Sequence, residues 1–400
     1  MDQLVLVKHL YRVRMPWSGA FQKHFKNALW NNENFRFFLM SECAGIFGNY
    51  FYQIALPWLV MEFTGSAGAM GTSIVLSGVS RMALMMVGGS LSDRFSPRVL
   101  MVAGAALRAL LLVLIIGIVL LGRMDLLVLY GFSLAAGLTD AIFLPARGSV
   151  LPLLVEQELL KAANSILTAQ EKLWSLVGPT LAGFIITWIN RSNNPAGAAQ
   201  KDFLGPVAAF VINVLALILS IVALRAVKFS IPALQPVQNV LEPAKAKLTR
   251  GSLRELIDLF KNQASLRMAF LMVYAINVIS SGPLYIGLPM LVVSRFPEGA
   301  QALGLMTSAL GGGALLGTLL AGLLPQPCPQ KMRRQFLYIL AGLAAGLVVL
   351  VTVISASVDI AVVVIVAGLI SYVNVTGIAQ IQRETPPAFM GRMMGLLNMK

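Results

Sequence analysis

Charged residues are scarce in this sequence. Of its 400 residues, 12% are Asp, Glu, Lys or Arg and 57% are hydrophobic. A soluble domain carries about 25% charged residues, so this chain has too few to cover a core with a water-facing shell. Cysteine and histidine are rarer still: Cys43 and Cys328 are far apart, and His9 and His24 both precede the first long apolar block. These residues support neither a disulfide framework nor a metal site.

The usual enzyme signatures are missing as well. The sequence contains no HExxH, no GxSxG and no GxxxxGK(S/T) nucleotide-binding loop. We therefore predict that the chain is not an enzyme, is not driven directly by ATP and needs no cofactor. The net charge of +14 could indicate nucleic-acid binding. The basic residues, however, lie in the short stretches between apolar blocks, so we predict no nucleic-acid partner.

Long apolar blocks dominate the chain. A helix needs about 20 residues to cross about 30 Å of hydrocarbon, and each block exceeds that length. We therefore predict an all-α membrane protein with ten spans, at residues 36–62, 67–91, 97–121, 124–146, 164–189, 205–226, 266–294, 300–325, 335–355 and 358–380. An eleventh span is expected to begin at Met393.

Lysine and arginine indicate how the spans are oriented. With the N-terminus inside, 24 of the 31 basic residues fall in cytoplasmic segments, and the outer loops hold only Arg123, Arg191, Lys201 and Arg295. Because positive residues concentrate on the cytoplasmic side, we predict a multi-pass protein of the bacterial inner membrane with a cytoplasmic N-terminus. Residues 1–34 read as a basic amphipathic segment on the membrane surface. An unstructured leader before Met15 is the alternative.

The chain also contains an internal repeat. Ile54-Ala-Leu-Pro57 in span one matches Ile286-Gly-Leu-Pro289 in span seven at an offset of 232, and similar offsets recur at two other places. Repeated halves are a transporter architecture. We therefore predict a basic N-terminal segment (1–34), a six-helix half (35–226), a cytoplasmic linker with an amphipathic helix (227–265) and a second half (266–400). The offset places the partners of spans five and six beyond about residue 394. The second half should thus hold four helices and the start of a fifth, with the last two missing.

The loop between spans two and three carries the first motif, Gly89-Ser-Leu91-Ser-Asp93-Arg94-Phe-Ser96-Pro97-Arg98. Glycine permits close helix packing, and Ser96 followed by Pro97 predicts a helix start. A tight turn with topology-setting bases is the plain alternative. The segment resembles the signature loop of the major facilitator superfamily, from which it departs at Ser96 and Pro97. The resemblance implies two six-helix halves and a cytoplasmic latch made by Gly89, Leu91, Asp93, Arg94 and Arg98.

Span five contains a second motif, Gly178-Pro179-Thr-Leu-Ala182-Gly183. Its proline removes a backbone hydrogen bond and its glycines remove side chains, so the helix can bend and pack closely. Packing alone is one interpretation. The segment also resembles the antiporter signature of the superfamily's export proteins, with Ala182 replacing a glycine. That signature implies outward transport.

Three further stretches are similar to the macrolide-efflux and enterobactin-exporter branch of the superfamily: Asn34-Phe-Arg36, Leu56-Pro57-Trp-Leu-Val60 and Pro145-Ala-Arg147-Gly-Ser-Val-Leu-Pro152. The resemblance covers residues 34–400.

Ionisable residues inside membrane spans are costly and mark functional positions. Asp140 is predicted to be an ion-pair partner in the latch, with a proton carrier or a tolerated acid as alternatives. Glu42 and Glu171 are predicted to couple transport to protons, since a carboxylate removed from water can exchange protons near neutral pH. An ion pair between Glu171 and Arg81 or Arg108 is an equal alternative. All the ionisable residues assigned to the spans lie in the first half: Glu42, Arg81, Arg108, Asp140, Glu171 and Lys172.

Polar residues interrupt spans one and seven, and interrupted helices tend to line the central cavity of transporters. The candidate cavity residues are Tyr50, Tyr52, Gln53, Asn277, Ser280 and Tyr285, although half of them could serve helix packing. We predict a monomeric secondary transporter that exports drug- or siderophore-like amphipathic molecules by proton antiport and alternating access. A carrier of lysophospholipids or other small molecules, or an inactive truncated transporter, is the alternative.

Overall fold

The computed structural model describes residues 29–92, 95–156, 159–193, 203–228, 263–296, 299–324, 329–353 and 355–385, and every regular element in these ranges is helical. The first half contains α1 (Glu33–Thr64), α2 (Ala67–Ser92), α3 (Pro97–Leu120), α4 (Leu126–Leu154), α5 (Leu160–Asn193) and α6 (Leu204–Ala226). The second contains α7 (Ala264–Gly282), a π-helical segment (Pro283–Gly287), α8 (Leu288–Arg295), α9 (Ala300–Leu323), α10 (Pro329–Thr352) and α11 (Ala356–Glu384). The predicted all-α fold is confirmed.

Eight of the described helices are long and apolar enough to cross a membrane, namely α3 to α7 and α9 to α11. Large apolar side chains lie on the outside of the bundle; Leu127 is 75% exposed and Leu323 is 81% exposed. Leaving such a side chain in water costs about 1.5–3 kcal/mol relative to burying it, and hydrocarbon removes that cost. The chain is therefore a multi-pass membrane protein. The roles of α1 and α2 as spans remain predictions.

Local sequence explains where several helices begin and bend. The hydroxyl of Ser96 accepts a hydrogen bond from the backbone N–H of Val99, and Pro97 occupies the first turn of α3, so the predicted helix start is confirmed. Span seven is interrupted at Pro283, where the chain passes through one wide π-helical turn before α8. Proline supplies no backbone N–H, and π-helical turns mark irregular places in helices.

Helix packing joins the two halves. Within the first half, α1 packs on α6 and α2 on α4; within the second, α9 packs on α11. The main contact between the halves is made by α5 and α9. The division of the chain into domains is still a prediction, because residues 1–28, 229–262 and 386–400, which carry most of the N-terminal segment, the linker and the eleventh span, lie outside the described residues.

Candidate functional site

A partly open cavity of about 150 Å³ lies inside the first half, between α1, α2, α3, α4 and α6. Five charged residues line it. Four of them are among the six ionisable residues predicted within the spans, namely Glu42, Arg81, Arg108 and Asp140. The fifth, Arg147, was not predicted to lie in a span. Charges from four different helices thus meet inside one apolar bundle. Such residues are rare in membranes and pair with each other where they occur.

Arg108 of α3 is the centre of one part of this cluster. Its guanidinium donates hydrogen bonds to the carboxylate of Asp140 in α4 and, at 2.8 Å, to the side-chain oxygen of Asn49 in α1. The same group lies 4.5 Å from the ring centroid of the buried Tyr52, where the ring face attracts a cation. These contacts tie three helices together through one arginine.

Arg147 of α4 is the centre of the other part. It donates a hydrogen bond to Glu42 of α1, whose side chain is only 2% exposed, and lies 3.6 Å from Glu171 of α5, which is 50% exposed. Glu171 is therefore in an ion pair, as one alternative expected, but the expected partners Arg81 and Arg108 were wrong and the observed partner is Arg147. Two carboxylates from two helices thus share one guanidinium.

Arg147 is the functional candidate that the sequence reasoning missed. The prediction ended span four at residue 146 and placed this arginine in a cytoplasmic segment, whereas α4 continues to Leu154 with Pro145 inside it. A spacing of seven residues puts Arg147 on the same helical face as Asp140. That spacing was the available signal, but the predicted end of span four at residue 146 left Arg147 outside the span.

The predicted latch is only partly within the described residues. Asp93 and Arg94 lie outside them, while Gly89 and Leu91 belong to the C-terminal end of α2. Arg98 donates a hydrogen bond to the backbone carbonyl of Arg225, which joins the start of α3 to the end of α6. Asp140 pairs with Arg108 inside the cavity, so its assignment to the latch stays a prediction.

The motif in span five lies against the second half of the chain. Both the backbone N–H and the hydroxyl of Thr180 donate to the hydroxyl of Ser308 in α9, at 3.0 and 2.8 Å. A Cβ at Gly183 would overlap the carbonyl oxygen of Ala300, and one at Gly178 would lie 2.8 Å from the ring of Tyr50. The glycines of this motif therefore allow α5 to approach both α9 and α1.

The predicted cavity residues of spans one and seven differ in burial and in their partners, and their role as a substrate surface stays a prediction. Tyr52 is buried beneath Arg108, whereas Gln53 is exposed. Asn277 donates to the side-chain oxygen of Asn374 in α11 at 2.7 Å, a partner that the sequence did not indicate. Ser280 donates to the carbonyl of Ile276 within its own helix, and Tyr285 belongs to the π-helical segment.

The second half also contains a buried ionisable residue, contrary to the prediction that these were confined to the first half. Asp359 of α11 is fully buried, and its carboxylate lies 4.0 Å from the guanidinium of Arg295. Arg295 also donates to the backbone carbonyls of Leu350 and Val353, at 2.7 and 3.1 Å. Free carbonyls at a helix C-terminus attract a cation, so this pair fastens α8 to the end of α10 and to α11.

Comparison with known proteins places this geometry in context. A family model described as Major Facilitator Superfamily matches residues 38–399. Enterobactin exporter EntS of Citrobacter koseri is 26% identical over 348 residues, which are 86% of this chain and 76% of that protein. An Escherichia coli EntS is 25% identical over 346 residues, with the same two coverages.

Solved structures share the fold at low sequence identity. A bacterial homologue of the iron transporter ferroportin, in an inward-facing state, is 16% identical with a TM-score of 0.65, over 91% of this chain and 87% of that one. The D-xylose–proton symporter is 13% identical with a TM-score of 0.60, over 91% and 86%. The helices of this chain are therefore arranged as in known transporters.

Proposed function

The chain belongs to the Major Facilitator Superfamily, and from this premise we propose that it exports small amphipathic molecules by proton antiport. It is a transporter and not an enzyme, and the relatives and structural neighbours that it matches are transporters as well. The outward direction is supported by two observations. Its relatives are exporters of enterobactin, and its fifth helix carries the motif that resembles the antiporter signature.

The sharing of Arg147 between Glu42 and Glu171 is the observation that carries the proton-antiport proposal. A charged carboxylate inside a protein is stable only when it is paired, and here two carboxylates compete for one cation. Protonation of Glu42 would neutralise its carboxylate and so remove its ion pair with Arg147. Arg147 would then be paired with Glu171 alone. A proton would thus change whether α4 is tied to α1 or to α5.

The position of Glu171 on α5 connects this exchange to movement of the halves. The same helix contacts α9 of the second half a few turns further on, through Thr180 and Ser308. Alternating access in transporters is largely a rocking of one half against the other. A change in the contacts between α5 and the first half would therefore favour one position of the two halves over the other. Proton binding would in this way be coupled to the movement that carries the substrate, as antiport requires.

The setting of the protein follows from the distribution of its basic residues. We propose that it lies in the bacterial inner membrane with a cytoplasmic N-terminus and acts as a monomer. Its partners would then be the lipid bilayer, a small-molecule substrate and protons.

Reconstitution of the full chain in vesicles tests the proposal. A pH-sensitive dye inside the vesicles would report proton movement while candidate substrates, siderophore-like and drug-like, are added. We expect substrate-dependent proton movement in the opposite direction to the substrate. Growth inhibition of a pump-deficient host, with and without the chain, would check export in cells. Substrate movement that leaves the proton gradient unchanged would refute antiport.

A further inference from the structure

Two polar side chains of the cavity take no part in the arrangement around Arg147. Asn213 of α6 is 1% exposed, and neither its amide nitrogen nor its amide oxygen has a hydrogen-bond partner within the described part of the chain. Arg81 of α2 is exposed and has no hydrogen bond or ion pair among the described residues. Both residues line the cavity.

An unpaired buried amide is unusual and requires an explanation. The large majority of buried polar atoms in proteins have a partner, because an unsatisfied one loses its interaction with water without compensation. The neighbouring helix leaves room for this amide: a Cβ on Gly48 of α1 would lie 2.5 Å from the Asn213 side-chain oxygen. The fold therefore accommodates an amide whose hydrogen bonds it does not itself complete.

The charges of the cavity indicate which sign of ligand it would attract. Three arginines and two carboxylates line it, so one positive charge remains after pairing. Glu171, which also approaches Arg147, is half exposed and lies outside the lining. Arg108 and Arg147 are engaged by carboxylates, which leaves the guanidinium of Arg81 available. An arginine fork with an amide N–H is the donor set that binds carboxylate and phosphate groups.

The size of the cavity limits what this partner can be. Pockets for drug-sized molecules measure about 300–1,000 Å³, whereas this one measures about 150 Å³. A whole amphipathic molecule does not fit, but a single oxyanion does. We propose that the cavity inside the first half binds a small oxyanion group, a carboxylate or a phosphate, through Arg81 and Asn213. Its source is a free anion or, resting on the proposed export function, the acidic end of a transported molecule.

Binding of simple anions to the full chain in lipid nanodiscs tests this site. Acetate and inorganic phosphate are titrated while the unfolding temperature is measured, with tetramethylammonium chloride as the ionic-strength control. We expect a saturable rise in the unfolding temperature with acetate or phosphate, and no such rise with the control salt. Arg81→Gln should raise the apparent Kd for the anion about tenfold or more, since a charge-assisted hydrogen bond is lost. Arg191→Gln, which removes an exposed charge elsewhere, should bind as the unmodified protein does.

Two results would overturn the site: no saturable effect of either anion, or equal effects in the Arg81→Gln and unmodified proteins. Asn213→Leu gives a second variant if its fold is retained, and it too should weaken binding. Because these curves need no transport, a failure of the export assay would leave them interpretable.

A matched set of ligands separates the two sources of the anion. Octanoate is compared with acetate, and octanol serves as the uncharged control. Octanoate binding at least tenfold tighter than acetate, with the difference lost in Arg81→Gln, would assign the site to the acidic end of an amphipathic molecule. Similar binding of acetate and octanoate would assign it to a free anion. Octanol binding as tightly as octanoate would overturn the proposal, because an uncharged ligand would then suffice.

Discussion

Gly183 of α5 and Ala300 of α9 meet backbone to backbone, so that a single added methyl group at Gly183 would overlap the carbonyl oxygen of Ala300. The contact recurs one turn further along, where a Cβ added at Gly304 would come equally close to the carbonyl oxygen of Pro179. Helices in lipid associate through close van der Waals packing of small residues, because no hydrophobic effect drives them together. Glycines on both helices therefore allow the close approach at which the two halves meet.

Gly183→Ala should separate α5 from α9 and impair transport. Overpacking of a tight contact costs about 1–3 kcal/mol, and the atom that the new methyl meets is backbone, which cannot rotate away. We expect a lower unfolding temperature and at least a several-fold loss of export. Gly117→Ala is the matched control, since a Cβ there would have no atom within 4 Å. Equal behaviour of the two variants would contradict the importance of this contact.

Arg147→Met should be among the most destabilising substitutions in the first half. It leaves the carboxylate of Glu42, 2% exposed, without a cation, and breaking a buried ion pair in this way costs about 3–5 kcal/mol. Denaturant unfolding in detergent would measure the loss. The double variant Glu42→Gln with Arg147→Met should recover most of it, because no unpaired charge remains. A double variant as unstable as Arg147→Met alone would show that the loss comes from packing.

Much of the helical framework could be predicted from the sequence. Length and apolarity located the long helices, and the serine–proline pair at Ser96 and Pro97 located the start of α3. The interruption predicted in span seven is present as the π-helical segment Pro283–Gly287. The predicted end of span four at residue 146 was wrong, since α4 continues through Pro145 to Leu154. Local sequence reports propensity, whereas tertiary packing decided this case.

The partners within the site could not be predicted in the same way. Sequence identified Glu42, Asp140 and Glu171 as costly residues in the membrane, and each has an arginine partner. Which arginine each would meet depends on the depth and rotation of α1, α3, α4 and α5 relative to one another. The depth and rotation of each helix follow from the packing of the whole bundle, so they could not be predicted from this single sequence.

Asp93→Asn should reduce transport while leaving membrane insertion intact. The resemblance places Asp93 in a cytoplasmic latch between the halves, and the substitution removes its charge without altering a span. Export and the amount of membrane-inserted protein would be measured together. Asp125→Asn is the control, since Asp125 is an exposed residue that makes no side-chain hydrogen bond to cap α4. Normal export by Asp93→Asn would remove the latch from the mechanism.

Glu42→Gln and Glu171→Gln should each uncouple substrate movement from protons. If a proton acts by changing how Arg147 is shared, then both carboxylates are needed: without Glu42 the arginine has only Glu171, and without Glu171 it has only Glu42. We expect substrate to move down its own gradient in both variants, while proton movement falls to the level of protein-free vesicles. The measurement is the dye assay in vesicles with the substrate gradient and the pH gradient imposed separately.

The exposed acid Glu33 provides the control for this comparison. It lies in the first turn of α1, is 74% exposed and faces Arg36 at 3.7 Å, a surface pair worth at most about 1 kcal/mol. Glu33→Gln should therefore keep both substrate and proton movement. If Glu42→Gln is uncoupled and Glu171→Gln is not, the proton is carried by α1 alone and Arg147 does not act through sharing. Normal coupling in both variants would exclude this cluster as the route of the proton, and the coupling residue would then have to be sought outside it.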